Sequence, residues 1–399
     1  MKIAFSNFTS SFISTCFIVA LELVVAVLIG FGFLALGADG GAWILGGIVA
    51  GATVFYVYRS RYNHSAKPKR NARKIGQILV GLTIGFSIQH SNLVSLSTQA
   101  PIFVLLTLLL LISGGAIGYL YSRLEKTDLL TAMLSTTPGN IGVMGSIAAD
   151  YGKNASLVSL VQLMRFTAVT LIMPLIANRS VPTGFDSNQI ATNLHWFTLN
   201  LLTFDSTYIV WLGSVLVLTT VVIHLGSQLN IPVATFLCSI ATGIVFNSIF
   251  NLISWVPNVD FSLSPLFNLV GQILLGITIG EYWGTNPNPG KRAIARAAVP
   301  VTLTLLAGLV SAAIALLLTP WDWLTCLLVT APGGSPEMIW IALAFNHDVE
   351  TVAAGHLVRL IAINASLPAL IALTNYLSRG FVGGEQPITA DPQSPTPGP

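Results

Sequence analysis

Two arginines sit deep inside apolar sequence, Arg165 in the run 155–177 and Arg359 in the run 350–377. Arg165 lies roughly 15–18 Å from either end of its run at about 1.5 Å per residue, too deep for its side chain to reach the interface fully. A guanidinium at that depth costs on the order of several kcal/mol, so it normally faces a cavity or a partner. One turn earlier, on the same helix face, stand Gln162 and His356. Upstream of each arginine is a helix breaker, Thr137-Pro138-Gly139-Asn140 in one place and Ala331-Pro332-Gly333-Gly334 in the other. Half-helices starting after Gly139 and Gly333 would aim free N–H groups and a positive dipole end at one spot, which is chemistry that holds a small anion.

Carboxylates complete the inventory. Glu337 follows Pro336 where the first copy has Val143, and it could carry a proton or bind a sodium ion. Glu22, in the first apolar run and matched by about Ser214, is a weaker coupling candidate. The candidate binding set is Pro138, Gly139, Asn140, Gln162, Arg165, Pro332, Gly333, Gly334, His356 and Arg359, with Glu337 and Glu22 as coupling-ion candidates. Asn364 would extend the polar face. Structural alternatives stay open for each. The Pro-Gly pairs could be packing kinks; the arginines could cap carbonyls of the broken segments or pair with Asp128 or Asp322; Glu337 could pair with Arg359 or Arg165.

The elements that must position these residues occur twice. Asp128 and Asp322, Pro138 and Pro332, Arg165 and Arg359, and Pro174 and Pro368 are each 194 residues apart. The segment 76–85 returns almost letter for letter at 271–280. Composition places the duplication in a bilayer: 53% of the 399 residues are hydrophobic and 8% charged, against roughly a quarter charged in a soluble chain. Several windows stay apolar for about 18 residues or more, enough for a helix to cross. The expected fold is an all-α polytopic membrane protein, with repeats over 12–178 and 206–377, a linker at 179–205 and a disordered tail at 380–399. The apolar run 12–36 is too long for a signal-peptide core and reads as a retained first span.

Charge placement bears on topology. The basic segment 59–74 reads as a cytoplasmic loop rather than a nucleic-acid patch, since it is the one dense basic cluster. In the second half the positives are Lys291, Arg292 and Arg296, one span later than in the first. Both clusters share a face if the repeats are inverted, each with five crossings plus a Pro-Gly segment that dips in and returns. The alternative is a segment that crosses, giving twelve spans in parallel repeats. Two broken segments at matching places in two halves point to a transporter's binding site.

The six histidines, His64, His90, His195, His224, His347 and His356, lack metal-ligand spacing, and Cys16, Cys238 and Cys326 stand apart in apolar runs. No nucleophile elbow or phosphate-binding loop is present. No cofactor, metal or enzymatic activity is expected.

At the two motifs, Thr-Pro-Gly-Asn…Gln-Leu-Met-Arg…Pro and Ala-Pro-Gly-Gly-Ser-Pro-Glu-Met…His-Leu-Val-Arg…Pro, the chain resembles the AbrB-type duplicated membrane protein family over about 15–377. Members of that family have carried provisional labels such as ammonia monooxygenase and regulator of gene expression. The resemblance implies a duplicated transport-type membrane fold, and the residues give the enzyme label no support. Asn140 and Val143 depart from the stronger second pattern, so the half-sites are unequal. The expected function is secondary transport of a small carboxylate-type anion coupled to H+ or Na+, by a multi-pass protein of the inner or plasma membrane. Its partners would be the bilayer and the solute, with a homo-oligomer open and no nucleic acid. The alternative is a membrane sensor or regulator acting on gene expression through a cytoplasmic partner of the segment 59–74.

Overall fold

The computed structural model describes residues 2–35, 41–62, 68, 70–89, 96, 98–139, 141–180, 205–231, 233–252, 259–285 and 290–382. These form fourteen helices. The first repeat holds α1 (Lys2–Ala35), α2 (Ala42–Arg61), α3 (Arg70–Ile88), α4 (Ala100–Leu124), the short α5 (Leu129–Thr136) and α6 (Ile141–Asp150), and α7 (Ala155–Ser180). The second holds α8 (Ser206–Gln228), α9 (Ala234–Asn251), α10 (Pro265–Thr285), α11 (Lys291–Leu318), the short α12 (Trp323–Thr330) and α13 (Ser335–Ala344), and α14 (Val349–Val382). Eight of the ten long helices are long and apolar enough to cross a membrane; α3 and α10 are the two that fall outside that set.

Small residues decide how the repeats meet. In lipid there is little hydrophobic drive between helices, so close backbone approach across small side chains supplies the packing. A Cβ on Gly276 would come 2.2 Å from the Ile44 carbonyl, and one on Gly280 2.2 Å from the Ile48 carbonyl. Gly284 lies against Phe55 and Tyr56. The numbers rise together, so α2 and α10 run parallel. In the same way Gly81 meets Phe236 and Ser239, and Gly85 meets Ile240 and Gly243, so α3 runs parallel to α9. The two near-identical helices behave oppositely. Gly76 packs on residues 271, 274 and 275 while Gly271 packs on Leu79 and Val80, so α3 and α10 cross antiparallel. Each helix is therefore antiparallel to its own counterpart, and the repeats are inverted.

The Pro-Gly segments return to the face they leave. Asp128, N-cap of α5, bonds Lys153, just beyond α6, at 2.8 Å. Asp322, N-cap of α12, pairs with His347, just beyond α13, at 3.0 Å. Both segments are re-entrant hairpins clasped at the base, and the twelve-span alternative does not hold. At one face Glu125 of α4 pairs with Arg296 of α11 at 2.9 Å; at the other Phe103 stacks on Trp321 with ring centroids 5.4 Å apart. Helices α4 and α11 thus run antiparallel, and the hairpins that follow them enter from opposite faces. Asp128 and Asp322 belong to these clasps and not to Arg165 or Arg359.

The basic segment 59–74 is only partly a loop. Arg59 and Arg61 close α2, and α3 begins at Arg70, so the short third segment expected at 76–85 is a helix of 19 residues that includes Arg73 and Lys74. Residues 63–67 and 69, with His64, lie outside the described residues. So do His90, His195, most of the linker 179–205, and the tail beyond residue 382. Helices α1 and α14 extend past the expected spans, starting at Lys2 and ending at Val382.

Asp128 carries the first clasp. Burial pushes its carboxyl up, but hydrogen bonds from Lys153 and Thr131 outweigh that and hold it below the usual carboxylate range. A depressed carboxylate stabilises above its unfolded-state value and loses that contribution as pH falls through the folded one. The clasp is therefore expected to persist at neutral pH and to weaken only in acid. Asp128→Ala should cost about 1–2 kcal/mol, the worth of an N-cap, read as a lower Tm of the purified protein. An unchanged Tm would show that the hairpin base needs no clasp.

Candidate functional site

Each hairpin tip follows from its proline. A residue before proline is driven to extended backbone, and Thr137 (φ −60°, ψ 128°) and Ala331 (φ −55°, ψ 124°) end their half-helices in that conformation. The carbonyls at those helix ends then need donors. Thr136 and Thr330 help by donating their hydroxyls to the Gly114 and Gly308 carbonyls at 2.8 and 3.1 Å. Prolines Pro138 and Pro332 lie over the same two glycines.

The arginines supply the rest. Arg165 donates to the Thr136 carbonyl at 2.8 Å, to the Thr137 carbonyl at 3.3 Å and to the Gln162 Oε1 at 2.6 Å. Gln162 in turn donates to the Leu134 and Thr137 carbonyls at 2.8 and 3.0 Å. In the second repeat Arg359 donates to the Ala331 carbonyl and bonds the His356 Nδ1. His356 Nε2 meets the Leu328 carbonyl at 2.9 Å. A carbonyl only accepts and a guanidinium only donates, so Nε2 carries the proton, Nδ1 accepts, and the ring is neutral. The capping alternative for the arginines thus describes their hydrogen bonds in both halves.

The two tips open on one cavity of about 90 Å³. That is room for several waters or a solute of a few heavy atoms. Pro138, Gly139, Gln162, Arg165, Gly333, Gly334, Glu337 and Arg359 all border it. The tips differ in backbone. Gly333 (φ 140°) and Gly334 (φ 65°) sit in the left-handed region that favours glycine, and a Cβ on Gly334 would lie 3.2 Å from Phe166 and 3.3 Å from Glu337 Oε2. Glu337 is 2% exposed, and its Oε2 has no hydrogen-bond partner among the described residues. It makes no ion pair with Arg165 or Arg359.

Other candidates lie elsewhere. Pro332 packs beside Gly308, and His356 borders a neighbouring apolar cavity of about 410 Å³ between α9 and α14. Glu22 is buried on α1, away from both cavities. Asn364 is exposed and donates to its own helix at Leu360, so it does not extend the polar face. Asn140 lies outside the described residues. Among the described residues no group of three or more His, Cys, Asp or Glu stands together to hold a metal.

Several lining residues were not among the candidates, including Arg73 and Gln77 of α3, Phe166 of α7 and Tyr282 of α10. A signal for Gln77 existed, since a glutamine recurs at Gln272 inside an otherwise apolar repeated segment. Nothing in one sequence separates Arg73 from its basic neighbours; the antiparallel crossing of α3 and α10 brings it in.

Comparison with known proteins gives one family match over most of the chain. A family model described as "Transition state regulatory protein AbrB" matches residues 43–375. The chain is 25% identical over 370 residues to "Uncharacterized protein YhjN" of Bacillus subtilis (strain 168), covering 86% of this chain and 93% of that protein. It is 25% identical over 357 residues to "Putative regulator AbrB" of Escherichia coli (strain K12), covering 87% and 93%.

Proposed function

We propose, from the premise that the chain belongs to the AbrB family, that it is a secondary transporter of a small carboxylate-type anion, coupled to H+ or Na+. One observation carries this: two re-entrant hairpins enter an inverted repeat from opposite faces and end at one cavity that holds guanidiniums and a buried carboxylate. Unwound backbone survives at membrane depth where it is packed in protein or lines a cavity, and inverted repeats place such a cavity near the midplane. An α5 of eight residues spans about 12 Å, which with its tip reaches roughly half the hydrocarbon thickness. The solute would meet the N-terminal end of α13 and the Arg73 guanidinium, with Arg165 and Arg359 holding the tips in shape.

Charge supports one orientation. The ends that carry Arg59, Arg61, Arg73, Lys74, Arg123, Lys126, Lys153, Lys291, Arg292 and Arg296 share a face by the packing described above. The excess of positive charge favours the cytoplasmic side of the cell membrane for it. The E. coli relative's printed name favours a second reading, a sensor or regulator that acts through the segment 59–74.

Uptake of radiolabelled mono- and dicarboxylates into proteoliposomes separates the two. Transport predicts saturable flux under an imposed pH or sodium gradient, lost in Arg73→Ala and kept when Arg59 and Arg61 are reversed to glutamate. No flux of any small organic anion under either gradient would remove the transport reading.

A further inference from the structure

Resting on the transport reading above, we infer that the coupled ion is a proton carried by Glu337, loaded because the solute's carboxylate enters the cavity that Glu337 lines. The cavity holds three guanidiniums, but they are not equivalent. Arg165 and Arg359 are tied to hairpin carbonyls, and moving either would orphan backbone acceptors at the tips. Arg73, in the first turn of α3, makes no hydrogen bond or ion pair with any described residue, and it lines the same cavity as Glu337. It stands on a different helix from the hairpin that bears Glu337.

The titratable groups that line the cavity with Glu337 are Arg73 from α3, Arg165 from α7, Tyr282 from α10 and Arg359 from α14, and the neutral His356 behind them bonds Ser335 of the cavity wall; Val233 and Phe236 add apolar surface. A sodium ion here would need several oxygen ligands. A proton needs only the carboxylate. Glu337 Oε2, buried and without a hydrogen-bond partner among the described residues, is where it would attach.

The step balances as follows. An anion enters and its carboxylate forms the ion pair with Arg73. Glu337 then shares the cavity with a second negative charge, which shifts it toward its protonated form. One proton passes from water to Glu337, so the anion and the proton travel together. When the anion leaves, its negative charge leaves the cavity and Glu337 releases the proton to water. Linkage makes the coupling reciprocal: protonation must tighten anion binding by the factor that binding favours protonation.

The test uses the purified full-length protein in detergent, with acetate, lactate and succinate as probes. Binding is followed by thermal shift, and proton uptake by an indicator dye in weak buffer. The wild type should take up about one proton per anion bound, with affinity falling up to about tenfold per pH unit across the window between the free and bound titrations. Replacing Na+ with K+ should change nothing. Glu337→Gln should bind the same anion with no proton uptake and an affinity independent of pH. Glu337→Asp should restore uptake, which guards against a misfolded glutamine variant; both should elute as monodisperse protein. Anion binding with no proton release or uptake in the wild type, or uptake that survives in Glu337→Gln, would overturn the inference while leaving anion transport standing. If no probe binds at any pH between about 5 and 8, the small-anion reading falls, and this inference with it.

Discussion

Arg165→Ala is expected to collapse the first hairpin and leave little folded protein. The side chain is 1% exposed and its guanidinium serves two tip carbonyls and Gln162. Its loss leaves the Thr136 carbonyl and Gln162 Oε1 without this donor, and each buried acceptor left unpaired costs about 1–3 kcal/mol. The expected loss is therefore about 3 kcal/mol or more, seen as a large fall in Tm or no monodisperse protein at all. Arg359→Ala should act in the same direction through the Ala331 carbonyl and His356. Lysine is a poor substitute, because a point charge on a flexible stem cannot span two carbonyls as the planar fork does. An arginine held only for the solute would behave differently: its removal would spare Tm and abolish binding. Arg73→Ala is expected to do that, so the pair of variants separates support of the tips from contact with the solute.

Gly280→Ala should be nearly as damaging, though it adds only one methyl group. Its Cβ would lie 2.2 Å from the Ile48 carbonyl and 2.5 Å from the Ala52 nitrogen. The obstacle is backbone on both sides, which cannot rotate away as a side chain could. Overpacking a core typically costs about 1–3 kcal/mol, and a backbone-on-backbone clash belongs at or above the top of that range. Helices α2 and α10 would have to separate, pulling α3 and its Arg73 out of register with the hairpins. Gly115→Ala is the control: nothing lies within 4 Å of its Cβ, so it should be neutral or stabilising by up to about 1 kcal/mol. Tm and expression of the two variants decide the matter. Equal stabilities would mean that the close approach of α2 and α10 does not hold the repeats together.

Much of the architecture was legible before any coordinates. The 194-residue spacing, the Pro-Gly pairs and the displaced basic clusters predict an inverted duplication with hairpins, because covalent repetition and charge asymmetry are written directly in the order of residues. The choice between a segment that dips and one that crosses was not legible. It turned on whether Asp128 meets Lys153 and Asp322 meets His347, contacts between side chains 25 residues apart. The roles of the arginines were equally open, since a buried guanidinium is consistent with gripping a ligand or capping carbonyls until its partners are seen.

The residues alone determined a duplicated, all-helical membrane chain with two broken segments, the second carrying Glu337, each followed by a long apolar run that carries Arg165 or Arg359. Breakers and buried charges are intrinsically costly in a bilayer, so their presence marks the site. Tertiary structure alone decided which charges are already occupied. Both deep arginines satisfy backbone that proline exposes, while Arg73, written in what reads as an ordinary basic loop, is carried to the edge of the same cavity by the crossing of two glycine-lined helices. That assignment depends on which surfaces can approach to within a van der Waals contact, and such approach is a property of two distant segments together and of neither one by itself.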